Sequence, residues 1–481
     1  MTVPGRPGRP PRAARRGPRD ILQNRRRESV GAVHDFAVQD RQVLGDLATW
    51  IADRRTSPAA PRPARSARLP DVTSTGIGIK ATWAVLRDLV LPTAFPTDHP
   101  RYLAFVGGSP TPAAIIADAA LSAAAVYGGS ELEAGDVVVV ERAAMRWMCD
   151  LVGYPEQAHG AFVSGGSLAN LSALVTARHG LAAPGGGVPD VIVASAAAHS
   201  SIRSAAAIMG CRVVSAGSPD RPLGAYELTA VLDSLDPRDV VAVVANAGAT
   251  NTGAVDHLEE IAECCEVRGT WLHVDAAYGG AAMLAPSRRD GFKGIELADS
   301  ITIDPHKWLF TPFDCAAVLY LDPTVARAAH QQRAEYLDAV SHADDDNPAD
   351  YAAHLSRRAR GVPVWASLVA NGTDAYVDAV ESCLTTAGYA AKQIADKPHL
   401  ELATEPHLSV VLFRRRGWSP DDYARWSSRA HTRGIALITP TTFAGETALR
   451  LCFVNPLTTR ADVDTILDSL EQDAPGRWQA S

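Results

Sequence analysis

The feature that most constrains the fold is a series of unbroken apolar segments of strand length in the middle of the chain. From about residue 159 they alternate with amphipathic stretches of helix length, such as 168–179 and 255–268. A strand that is apolar on both faces must be covered on both, as in parallel sheets whose crossovers are helices. The pattern therefore predicts an α/β fold with a mainly parallel sheet between helices. The predicted strands are 161–163, 191–194, 240–245, 271–274, 300–303 and 316–321.

Outside this region the sequence divides the 481 residues into four segments. Residues 1–32 contain nine arginines among many Pro and Gly residues, without apolar periodicity, which predicts a disordered basic tail. Residues 33–98 have two stretches with helical spacing and are predicted to clasp a partner subunit. We expect a large ligand-binding domain over 99–365 and a smaller C-terminal α+β domain over 366–481.

Composition and charge exclude several classes of protein. The net charge is −8, so the body lacks the basic surface of a general nucleic-acid-binding protein. No apolar run reaches the roughly 18–20 residues of a membrane span, and no apolar segment follows the N-terminal arginines as in a secretory signal. The seven cysteines form no CxxC pair, which disfavours a zinc site and a disulfide framework. We therefore expect a cytoplasmic protein with reduced thiols and no metal, which binds neither nucleic acid nor a membrane.

Two ionisable residues follow predicted strands, at the sheet edge where α/β proteins bind ligands. Asp275 comes directly after one strand; it could cap a helix, bind a metal or hold a proton on a ring nitrogen. Lys307, one of only five lysines, follows another strand. Burial is expected to lower the pKa of such a lysine and to suit it for imine formation. A lysine that reaches the surface or joins a salt bridge is the alternative.

The other two strand-end features are a glycine loop and a histidine. Gly165, Gly166 and Ser167 open a helix, where backbone N–H groups favour an anion, although a Ser N-cap explains the loop equally well. His199 follows a third strand, and a lone histidine is more often structural. Taken together, the loop, the imidazole, the carboxylate and the lysine occur in the order that pyridoxal phosphate requires.

Four motifs connect the chain to a known family: SGGSLAN (164–170), AHSSIRSA (198–205), HVDAAYGG (273–280) and DPHKWL (304–309). On these motifs the chain, from about residue 34 to 470, resembles the group II pyridoxal-phosphate-dependent amino-acid decarboxylases. These include the aromatic-L-amino-acid, histidine and glutamate decarboxylases. The resemblance implies the fold type I architecture, which is built on a mainly parallel, seven-stranded sheet. It also implies that the chain forms a homodimer and uses pyridoxal 5'-phosphate as its cofactor. It also implies a carboxy-lyase that converts an L-amino acid to its amine and CO2.

The resemblance further implies a role for each matching residue. Lys307 matches the lysine that forms the imine with the cofactor, Asp275 the partner of the pyridinium nitrogen, and His199 the imidazole stacked on one ring face. Ala277 matches the residue on the other ring face, and Thr250 a position near the phenolic oxygen. The positions that match phosphate contacts are Gly166, Ser167 and His306.

Two more matches concern the substrate. Tyr336 lies 29 residues after Lys307, which is the spacing of a mobile-loop tyrosine that protonates Cα in the neighbouring subunit of aromatic-amino-acid decarboxylases. A tyrosine here favours plain decarboxylation, and a surface tyrosine is the alternative; the acidic stretch 341–350 is expected to be a flexible lid. Arg450 matches an arginine near the active site and is a candidate contact for the substrate carboxylate.

Two departures limit what the resemblance implies. Asp304 stands where relatives often have Asn or Ser, and a carboxylate would repel a phosphate unless it turned away or took a proton. No phosphate contact is therefore assigned to Asp304. Phe105 and Val106, followed by two glycines, stand where aromatic-substrate enzymes have a bulkier run. Both residues are substrate-pocket candidates, and an aromatic substrate is favoured only by the weight of the family.

Three alternatives remain. An aminotransferase or an aldehyde synthase would share the fold and the cofactor. A cofactor-dependent DNA-binding regulator would need a winged-helix domain, which residues 1–92 do not indicate. A scaffold that binds cofactor without turnover is disfavoured because Lys307, Asp275, His199 and Tyr336 are all present.

Overall fold

The computed structural model of the chain describes residues 38–56, 69–181, 188–332, 334–335 and 347–472. The predicted basic tail, 1–32, lies outside these residues. The described residues form two compact units, one that ends at Thr93 and one that begins at Ala94. The predicted four-segment division of the chain stays a prediction.

The first unit is helical. It contains the helix Val38–Thr56, the helix Ile79–Val85 and a wider π-helical turn over Leu86–Val90, followed by the 3-10 turn Leu91–Thr93. Trp50 and Trp83 meet edge to face, with ring centroids 5.8 Å apart. Several large apolar side chains of this unit are exposed, namely Val38, Leu44, Ile79, Leu86 and Leu89.

The second unit is built on a seven-stranded sheet, which confirms the predicted fold class. Its strands are β1 (His159–Val163), β2 (Val191–Ser195), β3 (Arg212–Ala216), β4 (Val240–Asn246), β5 (Leu272–Asp275), β6 (Ser300–Ile303) and β7 (Ala316–Tyr320). They lie in the order β1-β7-β6-β5-β4-β2-β3. Strands β2 to β6 are mutually parallel, whereas β7 is antiparallel to both of its neighbours.

Helices cover both faces of this sheet. Along β1, Ala161 and Val163 pack against Ala173 of the helix that follows, whereas Phe162 packs on the opposite face in the same cluster as Met148. This alternation follows from the two-residue period of a strand. The helices of the unit are Pro112–Ala124, Glu131–Ala134, Asp136–Val152, Gly166–Leu181, Ser200–Met209, Ala225–Leu232, Leu258–Arg268, Pro323–His330, Gly361–Ala395, Pro420–Thr432 and Arg460–Gln472. The 3-10 turns are Pro237–Asp239, Gly279–Leu284, Arg289–Phe292, Ile295–Leu297 and Pro348–Tyr351.

A smaller antiparallel sheet follows towards the C-terminus, as the α+β pattern predicts. Its strands are β8 (Leu400–Leu402), β9 (Val410–Arg415), β10 (Pro440–Phe443) and β11 (Glu446–Cys452), in the order β10-β11-β9-β8. Phe413, Trp426 and Leu467 belong to the core between this sheet and its helices. The predicted boundary between residues 365 and 366 falls inside the helix Gly361–Ala395.

The carboxyl ends of the parallel strands place several polar residues at one edge of the sheet. Every residue of β4, β5 and β6 is buried, including the polar side chains on one face of β5 and β6. The carboxyl ends of these strands deliver Asn246, Asp275 and, one residue after β6, Asp304 to the same edge. Among the described residues, no helix has the length and apolar character needed to cross a membrane.

Candidate active site

A cavity of about 350 Å³ lies at the edge where the parallel strands end. Its walls bring together eight of the residues that the sequence singles out, from the glycine loop, three strand ends and the segment after β4. These eight are Gly166, Ser167, His199, Thr250, Asp275, Ala277, His306 and Lys307.

Lys307 forms an ion pair at the cavity. Its Nζ lies 2.8 Å from Oδ2 of Asp304, three residues earlier in the chain. Burial disfavours the charged ammonium, but the nearby carboxylates of Asp304 and Asp275 outweigh burial, so the pKa of Lys307 is raised. The predicted lowering of this pKa is therefore wrong, because it counted desolvation and left out the carboxylate partner.

Asp304 does not turn away from the glycine loop. A Cβ atom placed on Gly166 would lie 2.8 Å from Asp304 Oδ2, so the carboxylate lies directly against that glycine. The side chain is 2% exposed, and its Oδ1 has no hydrogen-bond partner among the described residues. The charge is balanced by Lys307 and, at 3.8 Å, by Nε2 of His306 whenever that ring is protonated. Residue 166 must therefore be small for the carboxylate to keep its place.

The glycine loop begins a helix that points its first turn into the cavity region. The helix Gly166–Leu181 starts at the loop, and the N–H groups of a first helical turn have no acceptor within the helix. Ser167 is exposed in the cavity wall, and His306 lies in the same wall, packed at 4.7 Å against the ring of Phe313. Burial lowers the pKa of His306, so its ring is a neutral hydrogen-bonding group. This corner of the cavity is suited to an anion.

Asp275 and His199 are joined by a residue that the sequence analysis missed. Asp275 accepts hydrogen bonds from Asn170 Nδ2 at 2.9 Å and from the Ala277 N–H at 3.1 Å. The same Asn170 amide donates to Ser201 Oγ at 3.0 Å, and Ser201 Oγ lies 2.9 Å from His199 Nδ1. Asn170 stands inside the SGGSLAN motif, so its position was visible, but its partners come from other parts of the sequence.

The substrate-pocket candidates lie close together but outside the walls of the cavity. Arg450 is 7% exposed, and its Nη1 donates to the Phe105 carbonyl oxygen at 2.7 Å. Val106 is buried, whereas Phe105 is 60% exposed. A Cβ atom on Gly108 would lie 1.8 Å from the Lys307 carbonyl oxygen, so this segment lies against the backbone of Lys307.

Tyr336 lies outside the described residues, as does 341–346 of the predicted lid. The last part of that stretch belongs to the 3-10 turn Pro348–Tyr351, whose residues are buried. The Ala349 N–H donates to the Gly129 carbonyl oxygen at 3.2 Å. This end of the predicted lid is therefore packed against the protein. Among the described residues, no cluster of His, Cys, Asp or Glu has the form of a metal site.

Comparison with known proteins identifies the family of the chain. The chain matches the pyridoxal-dependent decarboxylase conserved domain over residues 85–416. The chain belongs to this decarboxylase family. It is a carboxy-lyase that acts on an amino acid with pyridoxal phosphate as its cofactor.

Individual relatives differ in the amino acid for which they are named. The decarboxylase is 34% identical over 422 residues to the L-2,4-diaminobutyrate decarboxylase of Rhizobium meliloti (strain 1021), covering 84% of this chain and 83% of that protein. It is 30% identical over 389 residues to the aromatic-L-amino-acid decarboxylase of Bacillus atrophaeus, covering 77% and 80%. The crystal structure of Oryza sativa TDC with PLP and tryptamine is 22% identical with a TM-score of 0.83, covering 92% and 98%. Family membership thus fixes the reaction and not the substrate.

The cavity of the decarboxylase fits this cofactor. Its walls hold a lysine amine, a buried carboxylate and a helix start with no side chain at Gly165 and Gly166. Such a combination suits an aldehyde, a protonated ring nitrogen and a phosphate, respectively. Asp304, whose carboxylate lies against Gly166, is the feature that opposes an anion.

Proposed function

We propose that the enzyme decarboxylates an aromatic L-amino acid to the corresponding amine. The observation that supports an aromatic substrate is Phe313, which lies in the cavity wall next to His306 and is 56% exposed. Phe105, three residues before the glycine that lies against the Lys307 backbone, offers a second exposed aromatic ring. Aromatic rings bury a large area against one another and prefer offset or edge contacts. The aromatic-L-amino-acid decarboxylase of Bacillus atrophaeus is a relative named for such a substrate.

Four residues are proposed to be catalytic. Pyridoxal phosphate, when bound, supplies a sink for the electrons that departing CO2 leaves at the substrate Cα. Lys307 holds the cofactor through its amine, and Asp275 keeps the proton on the ring nitrogen. His199 contacts one ring face, and Tyr336 is proposed to deliver the proton to Cα.

The remaining wall residues are proposed to bind the cofactor without taking part in proton transfer. The start of the helix at Gly166 and Ser167 binds the phosphate through N–H and O–H donors. His306 Nδ1 lies 2.5 Å from the Cys315 carbonyl oxygen, which can only accept, so His306 Nε2 carries a proton to donate to the phosphate only when the ring is charged. Thr250 lies near the phenolic oxygen, and Ala277 contacts the second ring face. All five residues line the same cavity.

Arg450 is proposed to bind the substrate carboxylate. Its Nε and Nη2 are both buried and have no hydrogen-bond partner among the described residues, while its Nη1 is engaged by the Phe105 carbonyl. Nε and Nη2 form one edge of the guanidinium, and that edge matches the two oxygens of a carboxylate. Leaving two buried donors unsatisfied costs free energy, which a bound carboxylate would recover.

The enzyme is further proposed to be a cytoplasmic homodimer in which Tyr336 acts on the neighbouring subunit's cavity. Light scattering at working concentration tests the dimer, and a monomer would contradict the shared site. Mixing a Lys307→Ala subunit with a Tyr336→Phe subunit tests the sharing, because one complete cavity would then reappear in the mixed dimer.

A panel of amino acids given to the purified holoenzyme tests the proposed reaction and substrate, with CO2 and products followed by mass spectrometry. Aromatic L-amino acids are expected to yield CO2 and one matching amine, and Lys307→Ala is expected to yield neither. CO2 from L-2,4-diaminobutyrate but not from aromatic amino acids would overturn the substrate. A keto acid would indicate an aminotransferase, and an aldehyde with ammonia and peroxide would indicate an aldehyde synthase.

A further inference from the structure

A buried chain of hydrogen bonds connects the two groups that face the cofactor ring in the proposed site. Its centre is Asn170, whose side-chain amide donates to Asp275 Oδ2 at 2.9 Å and to Ser201 Oγ at 3.0 Å. Its amide oxygen lies 3.0 Å from Nε2 of His273. Asn170 is 1% exposed and His273 is fully buried. All three polar contacts of the amide are therefore shielded from water, where each one matters most for stability.

The directions of these hydrogen bonds follow from the Asp275 carboxylate, which can only accept and therefore faces the NH2 group of Asn170. The Trp271 indole N–H, which can only donate, lies 2.9 Å from Ser300 Oγ. The Asn170 amide oxygen, which can only accept, faces His273 Nε2, so Nδ1 of the neutral ring is left to accept from the Ser300 hydroxyl at 2.9 Å. With Nδ1 acting as an acceptor, the neutral His273 ring carries its proton on Nε2. That proton is donated to the Asn170 amide oxygen.

The inner end of the chain is fixed in the same way. Because Asn170 donates to Ser201 Oγ, the Ser201 hydroxyl proton is free to point at His199 Nδ1, 2.9 Å away. The Ser201 backbone N–H donates to the same nitrogen at 3.2 Å. His199 Nδ1 is thus an acceptor twice over, and the neutral His199 ring carries its proton on Nε2.

We propose that Asn170, oriented by His273, is a positioning residue that aims the Asp275 carboxylate and sets the tautomer of His199. The proposal rests on the cofactor-facing roles given above to Asp275 and His199. An asparagine side chain can rotate by half a turn and exchange its oxygen and its NH2 group. The His273 Nε2–H can donate only to the amide oxygen of Asn170. It therefore favours the orientation that presents the NH2 group to both Asp275 and Ser201. Without that donor, the Asn170 amide oxygen loses its buried hydrogen bond, and the amide is held in place less firmly against Asp275 and Ser201.

His273 suits this task because it stays neutral. Its ring is fully buried, and burial lowers its pKa to about 4 despite the nearby Asp275 carboxylate. At neutral pH the ring therefore has one N–H donor and one acceptor, as the directions of the hydrogen bonds require.

The test compares variants of the full-length enzyme by cofactor binding, measured without substrate. Asn170→Ala and His273→Leu are expected to raise the dissociation constant for pyridoxal phosphate about tenfold or more, the effect of losing a hydrogen bond to a charged group. Both are also expected to shift the visible absorption band of the bound cofactor at a fixed pH. His273→Gln, which keeps an N–H donor near the same place, is expected to retain the wild-type band and most of the affinity.

Thr176→Val is the matched control. Thr176 lies on the same helix as Asn170, is fully buried and hydrogen-bonded, and contacts the Ser172 carbonyl and His330 rather than the cavity. It is expected to lower the melting temperature without changing the band or the dissociation constant. A purely structural role for Asn170 would make Asn170→Ala behave like Thr176→Val, which would overturn the proposal.

Two further outcomes decide the matter. Equal behaviour of His273→Leu and His273→Gln would also overturn it, because only the first removes the donor. Ser201→Ala changes a residue in the first turn of a helix and serves as the test if the core variants do not fold. It is expected to weaken cofactor binding several-fold. Unchanged binding would contradict the link to His199. These readouts use no amino acid, so a wrong substrate assignment would leave them unaffected.

Discussion

Lys307 and Asp304 form an ion pair of 2.8 Å across a single turn that follows β6. Lys307 is proposed to hold the cofactor through its amine, which must be unprotonated to react, and Asp304 stabilises the protonated form. The same carboxylate lies against Gly166, at the start of the helix proposed to bind the phosphate. Asp304 therefore opposes cofactor loading in two ways, by holding the proton on Lys307 and by repelling the phosphate.

Replacement of Asp304 by Asn is expected to speed cofactor loading. The change removes the charge that raises the pKa of Lys307, so a larger fraction of the amine is unprotonated at pH 7.5. Each unit by which that pKa falls increases the unprotonated fraction about tenfold. Stopped-flow absorbance on the apoenzyme mixed with pyridoxal phosphate measures the rate.

Asp322→Asn is the control for this prediction. Asp322 caps the helix Pro323–His330 through Thr324, and asparagine also caps helices well. Loading by this variant should match the wild type. An unchanged rate in Asp304→Asn would show that Asp304 does not limit loading.

Gly108→Ala is expected to disrupt the cavity. The added Cβ would lie 1.8 Å from the Lys307 carbonyl oxygen, a backbone atom that cannot rotate away. Because the clash falls on the residue proposed to bind the cofactor, we expect loss of cofactor absorbance together with destabilisation of about 3 kcal/mol or more. Denaturant unfolding and the absorption spectrum measure the two effects.

Gly291→Ala separates the clash from the general effect of replacing a glycine. A Cβ at Gly291 would have no neighbour within 4 Å. This variant should keep its cofactor and wild-type stability to within about 0.5 kcal/mol. A Gly108→Ala enzyme with full cofactor content would contradict the close approach of this segment to Lys307.

The buried pair of Arg357 and Glu141 is expected to show strong coupling. Arg357 Nη1 lies 2.5 Å from Glu141 Oε2, and both side chains are almost fully buried. Removing one partner leaves an unpaired buried charge, so Arg357→Met and Glu141→Leu should each cost about 3–5 kcal/mol of unfolding free energy. The double variant should cost less than the sum, which a double-mutant cycle measures.

The neighbouring pair of Arg358 and Asp118 provides the contrast, because Arg358 is 44% exposed. Exposed pairs contribute about 0–1 kcal/mol, so Arg358→Met should be nearly neutral. Equal costs for Arg357→Met and Arg358→Met would mean that burial does not govern the contribution of these pairs.

The sequence predicted those parts of the site that depend on strand ends. Asp275 ends β5 and Lys307 comes four residues after β6, and a parallel sheet necessarily brings such ends to one edge. Strand β3 was not predicted, because it lies at the edge of the sheet, has exposed residues at Arg212 and Ser215, and lacks a long apolar run. Position along the chain was thus sufficient to predict a strand, and the residue at its end, wherever burial of both strand faces left a clear apolar pattern in the sequence.

Contacts between distant segments were not predictable in this way. Asn170 acquires its role only when the fold brings it to Asp275 and Ser201, 105 and 31 residues away. The raised pKa of Lys307 is a different case, since Asp304 lies only three residues earlier. Its spacing was visible, but the sequence does not state that the turn after β6 points both side chains at each other.

His273 is expected to make the stability of the apoenzyme depend on pH. Its pKa is about 4 in the folded enzyme against an ordinary value of 6.5, because burial disfavours the charged ring. Above pH 6.5 the ring is neutral in both states, and its contribution to stability is complete. Between pH 6.5 and 4 the unfolded chain binds a proton at His273 and the folded chain does not, so the free energy of unfolding falls by about 1.4 kcal/mol for each unit by which the pH is lowered.

Urea unfolding of the wild type at pH 7 and pH 5 should therefore differ by about 2 kcal/mol from this group alone. His273→Gln has no ionisable group at this position, so its unfolding free energy should fall by about 2 kcal/mol less than that of the wild type between pH 7 and pH 5. Part of the acid sensitivity remains in this variant, because burial also lowers the pKa of His354, to about 3. His179→Gln, at an exposed position, should behave as the wild type. If His273→Gln lost as much stability as the wild type between these two pH values, the buried ring would have to take up its proton in the folded enzyme, which would contradict its role as a neutral donor to Asn170.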